Sequence, residues 1–313
     1  MTLLSVIVPV FNSAKYLDAS LKCIKNQDIF NKLEVIFIND GSLDDSKIIL
    51  CEFVKIFKNS KLINNARNLG YGQSCNLGIE ESTGKFISFF EPDDEIPPDF
   101  YSVLVENIGR SDVIKYNGIF LDDGRKRSRL FKYRNIPDGE FDFCEYSRFW
   151  TSHPCIVNGI YRRSFFTENK IKFCKGRGAS YQDCQFNVML FYSKPKIRII
   201  DFCKYVYKKH DNQSISTLTD DRLLGVIDAW LELEIILKRR GGDISEDYFF
   251  IQINRQIRKL LEKCDVTQRA ILENYLVCRN KKVVSVTSLL KFNYKITEII
   301  KYYLGVVCQK III

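Results

Sequence analysis

The chain has 313 residues, 46% of them hydrophobic, enough for a large core in one domain or in a domain with an appendage. Its formal charge of +9 favours anionic partners such as phosphates, a membrane surface or nucleic acid. No window reaches eighteen uncharged apolar residues, which points away from a membrane-spanning helix. The stretch Met1-Thr-Leu-Leu-Ser-Val-Ile-Val-Pro-Val lacks a basic flank and a small-residue cleavage site, so it reads as a strand and not as a signal peptide. The 11 cysteines form no Cys-x-x-Cys pair and only 2 histidines accompany them, which argues against zinc. Cys23, Cys51, Cys75 and Cys203 sit beside apolar residues and read as buried free thiols in a reducing cytoplasm.

In chain order, the β-branched run 3–10 reads as a central strand closed by Pro9 and a Phe11-Asn12 turn. Ser13 is placed to cap a helix in which Tyr16, Leu17, Leu21 and Ile24 recur at helical spacing. A second strand over 33–38 ends in Asn39-Asp40-Gly41-Ser42. Asp44 then caps a helix with Ile48, Ile49, Phe53 and Phe57 on its apolar face. A brief third strand spans 61–64. The polar loop 65–72 opens a helix over 73–81, which Thr83-Gly84 ends. A fourth strand, 86–90, runs straight into Glu91-Pro92-Asp93-Asp94. This alternation of strand and helix predicts an α/β fold, a mostly parallel sheet flanked by helices.

Parallel strands bring the carboxylates that follow them to one edge, and ligands of such sheets bind off the carboxyl ends of strands. Asp40 follows the second strand, and Glu91 and Asp93 follow the fourth. Residues two apart on an extended chain point the same way, so Glu91 and Asp93 can share one task. Two such oxygens suit Mg2+ or Mn2+, held by one or two carboxylates plus substrate phosphates. The plainer alternative is a solvated acidic turn, with Asp94 or Asp99 capping the next helix. No Gly-x-Gly-x-x-Gly follows the first strand and no Gly-x-x-x-x-Gly-Lys-Ser/Thr occurs, which argues against a dinucleotide cofactor or a P-loop. Neutralising a phosphate would then fall to a metal and to basic groups, with Arg67 and His210 as candidates.

Ser5-Val-Ile-Val-Pro-Val-Phe-Asn12, Asn39-Asp-Gly-Ser-Leu-Asp-Asp-Ser46, Ala66-Arg-Asn-Leu-Gly70 and Thr83-Gly-Lys-Phe-Ile-Ser-Phe-Phe-Glu-Pro-Asp-Asp94 stand in one order within ninety residues. Together they resemble the successive blocks of family 2 glycosyltransferases. The resemblance implies a GT-A (Rossmann-like) fold, a nucleotide-sugar donor and an inverting transfer that needs a divalent metal. It implies that Pro9, Phe11 and Asn12 line the nucleotide pocket, with Asp40 bonding the base; an imide contact suits a UDP-sugar. Glu91-Pro92-Asp93 would be the family's Asp-x-Asp, with Asp93 at its metal-binding end. Glu91 departs from the usual Asp, keeping the charge but adding a methylene.

Beyond Pro98, residues 100–108 read as a helix and 112–121 as a strand. The run 125–134 holds six basic residues, either a solvated hairpin tip or a loop for an anionic acceptor or lipid headgroups. Segments 150–165 and 178–187 resemble the acceptor half of bacterial family members. There Gln182-Asp183 stands where the family commonly has Glu-Asp, which makes Asp183 the candidate general base, with Gln182 and His153 on the acceptor side. A last strand over 196–207 leads to 208–216, which in the family folds over the donor; His210 is there a candidate for the diphosphate or metal. From Asp220 the pattern turns helical, with Leu223, Val226, Ile227, Trp230, Leu233 and Ile236 in one stripe. Residues 279–313 carry a basic amphipathic pattern, suited either to an anionic membrane surface or to packing on the catalytic domain or a partner chain, so an oligomer through the C-terminal helices is one expectation.

The expected organisation is a GT-A catalytic domain over 1–217, split into a nucleotide-sugar half (1–98) and an acceptor half (99–217), then an α-helical C-terminal region (218–313). The expected activity is transfer of a sugar to a glycan or lipid-linked acceptor in bacterial surface-polysaccharide or lipooligosaccharide assembly. The expected location is the cytoplasm, peripheral on the inner face of the membrane. The rivals are a sugar-phosphate nucleotidyltransferase, which would carry a Gly-rich basic loop after the first strand, and a nucleic-acid binder. The latter is disfavoured because the clustered carboxylates repel a phosphate backbone, so no nucleic-acid partner is expected.

Overall fold

The computed structural model describes residues 2–131, 133, 139–142, 155–174, 182–209, 220–239, 265 and 268. His153, His210, the segment 279–313 and the end of the basic run 125–134 lie outside the described residues. Strands β1 (Leu4–Val10), β2 (Leu33–Asn39), β3 (Ser60–Asn64) and β4 (Phe86–Phe89) alternate with helices α1 (Ala14–Lys25), α2 (Ser46–Ile56) and α3 (Tyr71–Glu81). These four strands are parallel neighbours in the order β3-β2-β1-β4, so the turns after them all open on one edge. Every residue of β1, β2 and β4 is buried, as the apolar runs require of strands covered on both faces.

Helix α4 (Phe100–Asn107) leads to β5 (Val113–Tyr116), β6 (Ile119–Asp122), β7 (Arg127–Phe131), β8 (Gly139–Asp142) and β9 (Gly159–Arg162). Then come α5 (Arg163–Glu168), α6 (Gln182–Tyr192), β10 (Lys196–Ile200), β11 (Val206–Lys208) and α7 (Asp220–Arg239). The main sheet continues from β4 as β9-β5-β10-β8, with β9 antiparallel to both β4 and β5. A second sheet has the order β11-β6-β7. Among the described residues no helix is long and apolar enough to cross a membrane, and the cysteines are free thiols.

The structure corrects two strands. Residues 112–121 are expected as one strand but break at Asn117-Gly118, and 196–207 break after Ile200. Gly118 takes φ 119°, a value open to glycine, and its N–H folds back onto the Tyr116 carbonyl. Phe202 N–H turns onto Ile200 in the same way. The side chain of Asn117 bonds Asp201 at 2.9 Å, so both breaks sit at one level. The parallel pair β5–β10 of the main sheet thereby continues as the parallel pair β6–β11 of the small one.

Two local expectations also change. Ser13 makes no cap bond to α1; instead Asp44 accepts from Ala14 N–H at 2.9 Å and from Ser46 N–H at 3.1 Å, so one carboxylate serves the starts of both α1 and α2. Those hydrogen bonds outweigh partial burial and hold the Asp44 carboxyl below its usual range. In α2 the buried face is Leu50 and Phe53, while Ile48 is 63% exposed. On α7, Val226, Trp230, Leu233 and Leu237 are buried, and α6 is tied to it by Gln185 Nε2 donating to the Val226 carbonyl.

Glu34 locks the far end of the first strands. Its Oε2 accepts from the Ser5 hydroxyl (2.7 Å), Thr83 N–H (2.9 Å) and the Thr83 hydroxyl, while Lys61 pairs with Oε1 at 2.9 Å. Burial pushes this carboxyl up, but the hydrogen bonds and Lys61 prevail and hold it below 4.5. Glu34→Ala is expected to cost about 2–4 kcal/mol at pH 7, by leaving buried donors unmet. The depressed value means the stabilisation is full above 4.5 and fades as pH falls through the folded value. Urea midpoints of the two proteins at pH 7 and pH 4 will therefore converge at the lower pH.

Candidate active site

The first turn after the parallel strands is built by Phe11 and Asn12. Phe11 is 46% exposed at the sheet edge, whereas Pro9 is buried within β1. Asn12 has φ 49° and its Oδ1 accepts from Leu43 N–H at 2.8 Å, while its own N–H donates to Ser42 Oγ. The loops after β1 and β2 are thus stitched together at the sheet edge.

Asp40, next along the edge, is only 3% exposed. Its Oδ1 accepts from Asn65 Nδ2 (2.7 Å) and Leu69 N–H (2.9 Å), and its Oδ2 from Gly70 N–H at 2.8 Å. The carboxylate therefore braces the 65–70 loop, on which Arg67 is exposed. A carboxylate has about four acceptor positions, so one remains on Oδ2.

The turn after β4 holds the acids. Tyr71, at the start of α3, donates its hydroxyl to Glu91 Oε1 at 2.5 Å. Glu91 is partly buried, and burial first, then the charges of Asp93 and Asp183, push its carboxyl up to about 8. Pro92 is buried and Asp93 half-buried. Asp94 turns inward: its Oδ2 accepts from Tyr205 O–H at 2.6 Å and its Oδ1 from Lys208 N–H at 3.0 Å. Burial and the neighbouring Asp93 drive its carboxyl well above the usual range. Glu95 and Val206 exchange backbone hydrogen bonds beside it. Asp94 is accordingly a tie between the acidic turn and β11, not a helix cap.

Asp183 reaches this turn from the other half of the chain. It is the second residue of α6, and its Oδ1 accepts from Cys184 N–H at 2.8 Å. An aromatic cluster holds α6 in place: Phe186 stacks on Phe173 at 4.3 Å and meets Phe89 and Tyr161 edge-on. Phe173 is in turn fixed to α3 by paired hydrogen bonds with Asn76. Gln182 is buried against Gly72, where a Cβ would lie 2.3 Å from its Oε1. A neutral amide suits that position, because a second acid there would add to the charge at Glu91. Burial first, then the charges of Asp94, Asp93, Glu91 and Asp183, raise the pKa of the Tyr207 phenol. The acids of the turn after β4 and of α6 therefore lie in one neighbourhood, and Asp40 and Glu91 both act on the Cys75 thiol.

Sequence reasoning missed Tyr71, Tyr205, Tyr207 and the inward role of Asp94. Their partners are distant in sequence, and only the aromatic enrichment near the acidic turn hints at them. Among the described residues no cluster of three or more metal-ligating groups occurs. Two neighbouring carboxylates are nonetheless the donor set for a cation that completes its shell with water and substrate phosphate, so Glu91 and Asp93 fit Mg2+ or Mn2+.

This arrangement, with helices on a mostly parallel sheet and acids at its edge, is the GT-A fold. The chain belongs to glycosyl transferase family 2, whose family model matches residues 5–169, just over half of it. It is similar to the uncharacterized glycosyltransferase YibD of Escherichia coli, 29% identical over 69% of this chain and 63% of that one. It is also similar to the GalNAc(5)-diNAcBac-PP-undecaprenol beta-1,3-glucosyltransferase of Campylobacter jejuni, 36% identical over 44% of each. The chain thus spans less than two thirds of the length of these relatives. Among solved structures, residues 1–349 of Staphylococcus aureus TarS in complex with UDP-GlcNAc superpose with a TM-score of 0.70 at 22% identity, over 88% of this chain and 80% of that one.

Glu91 titration gives a direct check on this geometry. A carboxyl raised in the folded state holds a proton that the unfolded chain releases, so stability falls as pH rises from 4.5 towards 8. Glu91→Gln keeps the acceptor for Tyr71 and removes the charge. In metal-free protein it is expected to raise stability by about 1–3 kcal/mol at pH 8 and by little at pH 5, read as urea midpoints.

Proposed function

We propose that the chain is an inverting glycosyltransferase that moves a sugar from a nucleotide-diphosphate sugar to a hydroxyl of a growing bacterial glycan or lipid-linked acceptor. The observation that carries this reading is the meeting of Glu91, Asp93 and Asp183, from β4 and α6, at one edge of a parallel sheet. Residues 1–98 serve as the donor half, 99–217 as the acceptor half and 218–313 as the helical region. A UDP-sugar is the first donor to try: one acceptor position of Asp40 is left for an imide N–H, and the TarS structure of like fold holds UDP-GlcNAc. Phe11 offers an exposed ring to stack on the base, with Pro9 and Asn12 lining the pocket. A lipid-linked acceptor is favoured by the likeness to the undecaprenol-linked glucosyltransferase.

In the chemical step Asp183 takes the proton from the acceptor hydroxyl as its oxygen attacks the anomeric carbon. The bond from that carbon to the diphosphate oxygen breaks on the opposite face, so configuration inverts. Gln182 holds the first turn of α6 beneath the acceptor without adding charge, and His153 belongs on the same side. A divalent ion held by Asp93 and Glu91, with His210 as a further ligand, would neutralise charge developing on the diphosphate. Arg67 stands on the exposed loop, placed for the same phosphates. Tyr71 and Tyr205 bond Glu91 and Asp94 and so fix the shape of the turn.

A thermal-shift panel of UDP-, GDP- and CDP-sugars with Mn2+ will identify the donor, because a ligand that binds only the folded state raises its melting temperature. With that donor, Asp183→Asn and Asp93→Ala are each expected to lower nucleotide release by about 10²–10⁴-fold, with melting temperatures near that of the parent protein. Near-normal turnover by Asp183→Asn would remove the assigned base.

A further inference from the structure

The start of α3 touches both parts of the site. Gly70, just ahead of the helix, donates its N–H to Asp40 Oδ2 at 2.8 Å, and the Tyr71 hydroxyl bonds Glu91. The next residue, Gly72, meets the first residue of α6. A Cβ on Gly72 would lie 2.3 Å from Gln182 Oε1, 3.1 Å from Gln182 Cδ and 2.8 Å from Phe173 Cβ. Gly72 and Gln182 are both buried, so this contact lies in the interior. Glycine is among the poorest helix formers, and the close approach of α6 is the reason for its place here.

α3 itself has little room to yield. A Cβ on Gly78 would lie 2.4 Å from Ile7 Cγ2, so the helix rests directly on β1. Asn76 exchanges hydrogen bonds of 3.0 and 2.8 Å with the backbone of Phe173, whose ring stacks on Phe186 of α6. α6 thus bears on α3 at two places, directly through Gln182 and through the Phe173–Phe186 stack. We infer that Gly72 is a positioning residue, whose missing side chain sets how closely the first turn of α6, with Asp183, approaches α3 and the Glu91 turn bonded to it. This rests on the assignment of Asp183 as the base.

Bulk at position 72 presses on Gln182 and Phe173, both on the α6 side, and not on Asp40 or its loop. The expected signature is a base displaced from the acceptor oxygen while nucleotide binding persists. Attack in line is sensitive to such a displacement, since a misplacement of about 1 Å can cost on the order of 100-fold in rate.

The test is UDP release from UDP-glucose, UDP-galactose and UDP-N-acetylglucosamine with Mn2+ and water as the acceptor, in the full chain. Gly72→Ala is expected to lower kcat by about 10–100-fold, while KM for the sugar nucleotide and Kd for UDP stay within about threefold. Gln182→Asn keeps the amide but draws it back by one methylene. In that background Gly72→Ala is expected to cost at least about fivefold less, because only the approach to Phe173 Cβ remains. An equal loss in both backgrounds, or a loss carried by KM, overturns the inference and marks a packing glycine. If Gly72→Ala does not fold, the double variant is expected to fold with a melting temperature near that of Gln182→Asn, and its failure also overturns the inference. If Gln182→Asn is inactive alone, Gln182→Ala serves as the background; if both are inactive, the amide itself is required and the spacing claim fails. Asp183→Asn separates the two claims, since near-normal turnover there removes the base whatever Gly72 does. If Asp183→Asn is inactive while Gly72→Ala keeps the parent kcat, the role of Gly72 alone fails.

Discussion

Mutual repulsion among acids at the end of a parallel sheet is the constraint that the rest of the structure accommodates. Glu91, Asp93 and Asp94 follow β4 without a break, and α6 adds Asp183 to the same cleft. Charges of one sign in a partly buried place are costly, and here each is met differently. Tyr71 bonds Glu91, which stays protonated up to about 8. Asp94 is turned into the core and bonded by Tyr205 and the backbone of β11. Asp93 and Asp183 are the acids left beside them, and on the proposed reading these serve the cation and the acceptor hydroxyl.

That tie between Asp94 and β11 also explains why the second sheet exists. β11 is short, and alone it would not persist; it is held by pairing with β6, by the Glu95–Val206 bridge and by the Asp94 side chain. Lys208 and Arg127 both pair with Glu95, so the small sheet is pinned to the acidic turn by charge as well as by backbone. The end of β11 is therefore a fixed point beside the acidic turn. Any movement of this segment over a donor would be felt directly at Asp94.

The first 98 residues were legible in the sequence because their signals are local. Four apolar runs end in polar turns, and each turn carries its functional residue within three positions of the strand, so strand order and site edge follow together. Residues 99–217 were less legible because their described part is organised by pairings across long separations. The two long strands read over 112–121 and 196–207 look continuous in hydrophobicity, yet both break where Asn117 meets Asp201. The α2 stripe holds at Ile49, Phe53 and Phe57, but Ile48 was read in the place of Leu50, because the two are equally apolar and only packing distinguishes them. Lys115 sits inside a run that reads as an apolar strand, and nothing in its neighbours marks it as buried. Asp40 was found for its position, but its three hydrogen bonds to the 65–70 loop required the fold.

On the proposed reading these carboxylates hold a cation together with a nucleotide diphosphate. Titration calorimetry of UDP into the protein, once with Mn2+ and once with a chelator, tests it most directly. The account predicts binding at least about tenfold tighter with Mn2+, a gain of about 1.4 kcal/mol or more, lost in Asp93→Ala. Equal affinity for UDP in the chelator would contradict it.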